Sequence, residues 1–136
     1  MGTALAQQFM DALRQAEQTK DVTPLVMLFA DDAELESPVR SAAAHGTDGA
    51  RKFWEEYLRA FDDVRSEFTH VNGGGPFATM EWSSSGTLPN GQPIRYAGVS
   101  IIEQRDGRVT RFSTYYDSAA FLPGGAKHAD AAGGQA

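Results

Sequence analysis

Residues 94–117 restrict the fold more than any other part of the chain. Two arms, residues 94–105 and 108–117, are rich in β-branched and aromatic side chains, which favour strands. Asp106 and Gly107 join them, and a glycine reaches the positive φ of a tight turn without steric penalty. The stretch therefore predicts a long antiparallel hairpin at the centre of a sheet.

Most of the predicted strands follow three segments in which apolar residues recur at helical spacing. Strands gathered after helices indicate an α+β domain with an antiparallel sheet. Four strands in two hairpins, bent around three helices, form a cone whose open end is a natural pocket. The pattern predicts helices over residues 3–19, 24–29 and 49–61, and strands over residues 33–37, 64–71 and 77–88 besides the two arms.

The chain has 136 residues, which suits one domain with a substantial core. We assign that domain to residues 1–123. Residues 124–136 consist of alanine, glycine and polar side chains, so they are predicted to form a disordered tail.

The composition argues against several classes of function. There is no cysteine, and His45, His70 and His128 are scattered without metal-binding spacing, so neither a metal nor a cofactor is predicted. The net charge of -6 without a basic stripe disfavours nucleic acid and anionic membranes as partners. No apolar run approaches the roughly 20 residues of a membrane span. Because the N-terminus is amphipathic and unlike a secretion signal, we expect a cytoplasmic protein.

Several stretches resemble a known group of proteins. The run Leu-Phe-Ala-Asp-Asp-Ala-Glu-Leu-Glu-Ser-Pro-Val at residues 28–39, with residues 45–47 (His-Gly-Thr) and 53–54 (Phe-Trp), closely resembles the early part of ketosteroid isomerases. Residues 106–117 resemble the last strand of the wider NTF2-like superfamily, which includes SnoaL-like polyketide cyclases and limonene epoxide hydrolases. The resemblance covers residues 5–122 and implies an NTF2-like cone, in which a curved antiparallel sheet wraps around three N-terminal helices.

The catalytic residues of the isomerases are replaced in this chain. Their general-base aspartate corresponds to Ser37, and their oxyanion-binding tyrosine corresponds to Phe9. Their protonated aspartate falls near Val99. A hydroxyl of ordinary pKa cannot act as a carboxylate base, because proton transfer needs a pKa near the working pH.

The charged residues of the epoxide hydrolases are replaced as well. Their arginine and first aspartate correspond to Trp82 and Ser84, and their second aspartate corresponds to Thr114. The acid of the cyclases falls in the same neighbourhood as Thr114. None of these three residues carries a carboxylate or a guanidinium group.

The predicted pocket is apolar with a few hydroxyl groups. Alternation places Met80, Trp82 and Ser84 on one face of their strand, and the resemblance directs that face toward the pocket. Such a lining suits a small, flat hydrophobic molecule, although aromatic residues at these positions also suit ordinary core packing. The predicted ligand-binding residues are Phe9, Trp54, Trp82, Ser84, Tyr96, Phe112, Thr114 and Tyr116.

Three residues are candidates for catalysis. His70 shares a strand face with Phe68 if alternation is regular, and imidazole has an unperturbed pKa suited to acid–base chemistry. Ser37 occupies the position of the isomerase base. Glu36 would replace that base if the register of its strand differed by one residue.

Two hypotheses of function remain open. The first is a cofactor-independent isomerase, cyclase or hydrolase that acts on a small hydrophobic molecule. The second is a non-catalytic module for ligand binding or dimerisation. In either case we predict a homodimer formed through the outer face of the sheet, because related proteins often pair there and two-fold dimers are the commonest oligomers. This face carries Thr79, Glu81, Ser83, Arg95, Ile101 and Arg111.

Overall fold

The computed structural model describes residues 2–122, so the predicted tail at residues 124–136 lies outside the described residues. Three helices precede most of a six-stranded sheet, as the pattern predicts. The elements are α1 (Gly2–Thr19), α2 (Thr23–Val26), β1 (Phe29–Glu36), β2 (Ala44–His45), α3 (Gly46–Arg59), β3 (Asp63–Gly74), β4 (Phe77–Thr87), β5 (Pro93–Arg105), β6 (Arg108–Tyr116) and a 3-10 turn (Ser118–Phe121).

The predicted α+β cone is confirmed. The strands form one curved, open sheet in the order β2-β1-β6-β5-β4-β3. The central hairpin joins β5 to β6, and Asp106 and Gly107 have φ values of 55° and 77° at its turn. All neighbouring strands are antiparallel except β1 and β6, which pair in parallel. A parallel pair needs a long crossover, and the chain from β2 to β5 supplies it.

Some element boundaries differ from the prediction. The second helix was expected over residues 24–29, but Phe29 begins β1 and is fully buried. Phe29 pairs with Val109 of β6, so tertiary pairing outweighs the local helical pattern. Between the predicted strand at residues 33–37 and the predicted helix at 49–61 lies the short strand β2, which pairs with Glu34 and Leu35. The strand predicted over residues 64–71 ended at residue 71, but β3 continues to Gly74.

The helices pack against the two ends of the sheet. Helix α1 contacts β3, and α3 contacts β1, so the curved sheet and the helices enclose the space between them. The largest fully buried side chains include Phe9 of α1, Phe29 of β1 and Phe112 of β6. Among residues 2–122, no helix is long and apolar enough to cross a membrane.

Candidate ligand-binding site

A cavity of about 330 Å³ lies between the helices and the concave face of the sheet. The structure brings all eight residues predicted to bind a ligand to the wall of this one cavity; that a ligand occupies it remains a prediction. Ser37, a candidate for catalysis, lines it as well. The eight residues are Phe9, Trp54, Trp82, Ser84, Tyr96, Phe112, Thr114 and Tyr116.

Strand alternation positions the sheet side of the wall. Met80, Trp82 and Ser84 are buried on the inner face of β4, whereas Glu81 between them is exposed. Opposite Trp82 stands Gly98 of β5, where a Cβ atom would lie 2.6 Å from the indole ring. The glycine therefore allows the Trp82 ring to lie directly against β5.

Aromatic rings also form the helix side of the wall. Trp54 of α3 contacts Phe9 of α1 with ring centroids 5.7 Å apart, and it contacts Phe53 and Phe112 at 5.0 Å each. On the sheet side, Tyr96 lies 5.2 Å from Trp82. Tilted and edge-on ring contacts at these distances stabilise a rigid apolar wall.

A buried polar cluster, which we call the Glu17 cluster, borders the cavity and consists of Glu17, Tyr57, Ser66 and Ser84. The Tyr57 hydroxyl donates to Glu17 Oε2 at 2.7 Å, and Ser66 Oγ donates to the same oxygen at 2.6 Å. The Ser66 backbone N–H donates to Glu17 Oε1 at 2.9 Å. Ser66 Oγ also lies 2.7 Å from Ser84 Oγ. The Glu17 carboxylate, 5% exposed, is thereby satisfied inside the fold.

Sequence reasoning missed the Glu17 cluster, although a signal was present. Phe9, Leu13 and Glu17 are spaced four residues apart, so Glu17 lies on the apolar stripe of α1. A charged residue in such a stripe is rarely buried without partners. The partners come from β3, β4 and α3, however, and a pattern within one helix cannot locate them.

A second chain of hydrogen bonds crosses the inner face of the sheet. Trp82 Nε1 donates to Ser100 Oγ at 2.9 Å, and Ser100 Oγ donates to Thr114 Oγ1 at 2.9 Å. Ser100 and Thr114 stand opposite each other on β5 and β6. This series of hydrogen bonds therefore ends at the Thr114 hydroxyl group in the cavity wall.

Burial keeps the tyrosines of the wall protonated. It raises the pKa of Tyr57 well above its ordinary value, and electrostatic interactions with Tyr96 and Glu17 add to the rise. Burial likewise raises the pKa of Tyr96. Burial raises the pKa of Tyr116, while a hydrogen bond with Ser37 opposes the rise. All three phenols are neutral hydrogen-bonding groups near neutral pH.

The structure corrects the prediction that His70 faces inward. A β-bulge at Thr69 inserts one extra residue between Phe68, which pairs with Trp82, and His70, which pairs with Glu81. The His70 side chain is 71% exposed and its Nδ1 lies 3.7 Å from Glu81. It does not line the cavity.

The alternative register that would bring Glu36 inward is also wrong. Leu35 is fully buried and Ser37 lines the cavity, so Glu36 points to the opposite face of β1. There it accepts a hydrogen bond of 2.7 Å from Arg111. Arg111 bonds Glu103 as well.

The rim of the cavity carries an ion pair. Arg40 Nη1 lies 2.6 Å from Glu56 Oε1, and both residues line the cavity. The Arg40 guanidinium also lies 5.7 Å from the centroid of the Phe53 ring. The sequence does not reveal this ion pair, because nothing local to the loop that carries Arg40 indicates its contact with α3.

The polar groups of the wall suit hydrogen bonding more than metal coordination. Within residues 2–122, no three histidine, aspartate or glutamate side chains come together in a group that could hold a metal ion. Trp54 Nε1 is buried and has no hydrogen-bond partner in the described part of the chain. A buried N–H without a partner favours an acceptor from a bound water or ligand.

An α+β cone with a cavity between helices and a curved sheet defines the NTF2-like class of proteins. The family model described as a SnoaL-like domain matches residues 6–112, and the chain belongs to this family. A search of the curated proteins finds no match.

Solved structures share the fold at low sequence identity. An NTF2-like protein from Anabaena variabilis superposes with a TM-score of 0.79 at 15% identity, covering 87% of this chain and 90% of that one. TerC, co-crystallised with polyporic acid, gives 0.75 at 17% identity, covering 88% and 93%. SalBIII, an epoxide hydrolase/cyclase-like enzyme with a role in pyran ring formation, gives 0.73 at 18% identity, covering 87% and 94%. These likenesses support the fold alone.

Proposed function

We propose that this protein binds a small, largely apolar, ring-bearing molecule in the cavity between its helices and sheet. The cavity carries this proposal: about 330 Å³ of space is lined mainly by aromatic side chains, with a few hydroxyl groups among them. Ligand sites are typically apolar clefts with a few well-placed polar groups. Two structural relatives add support, since TerC was crystallised with polyporic acid and SalBIII has a role in forming a pyran ring.

The site does not suit enone isomerisation. That reaction needs a base for the proton next to the carbonyl and acidic donors for the developing oxyanion. Ser37 and Phe9 line the cavity at the isomerase positions and supply neither. Val99 pairs with the exposed Glu81 and so lies on the outer face; its inward neighbour is Ser100, a hydroxyl group.

A second candidate, turnover of the bound molecule, rests on Glu17. It is a buried carboxylate, and hydroxyl groups of Ser66 and Ser84 connect it to the cavity. A cofactor-independent isomerase, cyclase or hydrolase needs such an acid–base group.

Binding is tested by calorimetric titration and thermal denaturation with naphthalene and 2-methoxynaphthalene. We expect saturable binding and a rise in melting temperature, because a ligand that prefers the folded state stabilises it. The variant Thr114→Phe should fill the cavity and abolish binding, whereas Thr79→Phe on the outer face should not. Failure of these two compounds and of their hydroxyl analogue 2-naphthol to bind at their solubility limits would refute the proposal.

Turnover is tested separately with an enone isomerisation assay, run beside Ser37→Asp. We expect background rates for the natural sequence, because losing a positioned base typically costs on the order of 10²–10⁴ in rate. Rapid isomerisation by the natural sequence that Glu17→Gln abolishes would instead favour the second candidate.

A further inference from the structure

The Glu17 cluster has a fixed direction of hydrogen bonding. A carboxylate only accepts hydrogen bonds, and Tyr57 and Ser66 each have one hydroxyl hydrogen to donate. Both hydrogens go to Glu17 Oε2. Ser66 Oγ therefore has no hydrogen left for its 2.7 Å contact with Ser84 Oγ, and Ser84 must be the donor in that contact.

The direction of these hydrogen bonds leaves Ser84 as an acceptor on the cavity side. Its hydroxyl hydrogen points away from the cavity toward Ser66, so its oxygen lone pairs remain for a ligand. Ser84 lines the cavity. This side of the wall therefore accepts hydrogen bonds, and a carboxylate stands behind it.

The hydrogen bonds from Trp82 through Ser100 to Thr114 run toward the cavity, in the opposite direction to the Ser84–Ser66 hydrogen bond. The indole N–H of Trp82 can only donate, so Ser100 accepts from it and donates to Thr114. The Thr114 hydroxyl hydrogen has no acceptor among residues 2–122, and Thr114 lines the cavity. This side of the wall therefore donates hydrogen bonds, and the aligned chain behind it strengthens the donor.

We propose that the cavity selects an uncharged ring molecule that carries a hydroxyl group, or another N–H or O–H donor, at Ser84, and an acceptor such as a carbonyl group at Thr114. This inference rests on the proposed function and specifies its ligand class. An anion is excluded at Ser84, because an ionised oxygen there would meet lone pairs and the nearby charge of Glu17. The Ser84 side of the cavity is thus opposite in polarity to a site that stabilises an oxyanion.

The test compares 2-naphthol with naphthalene and 2-methoxynaphthalene, which share its ring system but have no donor. We expect 2-naphthol to bind about tenfold more tightly than either, the gain typical of one additional satisfied hydrogen bond. Bound 2-naphthol should also keep the absorption spectrum of the neutral phenol, and its pKa should rise on binding. The absorption spectrum is measured with the natural sequence, so this test holds even if a variant fails to fold.

Variants then assign the effect to Ser84. Ser84→Ala should remove the preference for 2-naphthol, so that the ratio of its affinity to that of naphthalene falls about tenfold. Ser85→Ala, on the exposed neighbouring position of the same strand, should change neither. The acceptor side is tested with 2-acetylnaphthalene, whose affinity should fall about tenfold in Thr114→Val.

The outcomes separate this inference from the proposed function. If the three naphthalenes bind equally, or if 2-naphthol binds as its anion, the polarity assigned here is wrong while the cavity remains a ligand site. If Ser84→Ala keeps the preference for 2-naphthol, the assignment to Ser84 is wrong. If none of the compounds binds, the proposed function fails and this inference fails with it.

Discussion

Glu17 shows how one residue can link the stability of the fold to the site. Its carboxylate accepts hydrogen bonds from Tyr57, from the Ser66 hydroxyl and from the Ser66 backbone N–H. Helix α1, helix α3 and strand β3 therefore meet at one buried group. A buried donor left without its acceptor costs roughly 1–3 kcal/mol.

We accordingly expect Glu17→Ala to lower the free energy of unfolding by about 3 kcal/mol, since it leaves several buried donors unsatisfied. Glu17→Gln should cost less, because its amide oxygen still accepts. Gln18→Ala is the matched control, since Gln18 is the exposed neighbour on the same helix. Urea denaturation measures all three, and a loss in Glu17→Ala no larger than in Gln18→Ala would contradict the role assigned to Glu17.

The tyrosines of the wall make stability depend on pH in the alkaline range. The pKa values of Tyr57, Tyr96 and Tyr116 are raised in the folded state, chiefly by burial. A raised pKa means that the folded protein retains protons which the unfolded chain loses above about pH 10. Their contribution to stability is therefore complete below about pH 10 and is lost as the pH rises beyond it.

Tyrosinate absorbance, followed together with circular dichroism, measures this effect. Between pH 10 and the onset of unfolding we expect less absorbance than the four tyrosines of the chain would give if all ionised. The remainder should appear together with the loss of secondary structure. Full ionisation in the folded protein would show that the phenols are accessible to solvent.

At the scale of elements, the sequence predicted what is local and missed what is tertiary. The central hairpin could be predicted because its strand propensity and its Asp106-Gly107 turn lie in one stretch. Alternation correctly placed the inner face of β4. It failed at Thr69 on β3, because a bulge has no pattern of its own and reverses the direction of every following side chain. The partners of Glu17 could not be predicted either, because they lie on other helices and strands.

The contact between β4 and β5 is tested by Gly98→Ala. A Cβ atom there would lie 2.3 Å from the Tyr115 carbonyl oxygen and 2.6 Å from the Trp82 ring, so the backbone or the indole must move. We expect a loss of about 2–3 kcal/mol in the free energy of unfolding and a shift in tryptophan emission. Ala97→Ser, at the exposed preceding position, is the control. Unchanged stability and emission would mean that Trp82 does not pack on Gly98.

At the scale of the whole molecule, the outer face of the sheet is the candidate interface between protein chains. In the described part of the chain, helices cover only the inner face, and the outer face carries the 51% exposed Tyr115 directly opposite Val99. Ile101 is half-buried on the same face, with the ion-paired Arg111 nearby. Apolar centres with charged surroundings are typical of interfaces between protein chains.

We therefore predict a homodimer that pairs through this face, since a two-fold interface places the same patch on both chains. Light scattering should give about twice the 14.7 kDa mass of one chain. Tyr115→Arg should shift the protein toward the monomer, because two equivalent arginines would meet near the symmetry axis and their charges would be desolvated. Met27→Arg is the matched control, as Met27 is 68% exposed but lies outside the sheet.

A mass of one chain at every concentration would exclude the dimer, and dissociation by Met27→Arg alone would move the interface to the α2 side. Because the cavity opens on the inner side, ligand binding by Tyr115→Arg should match that of the natural sequence, which separates assembly from the site.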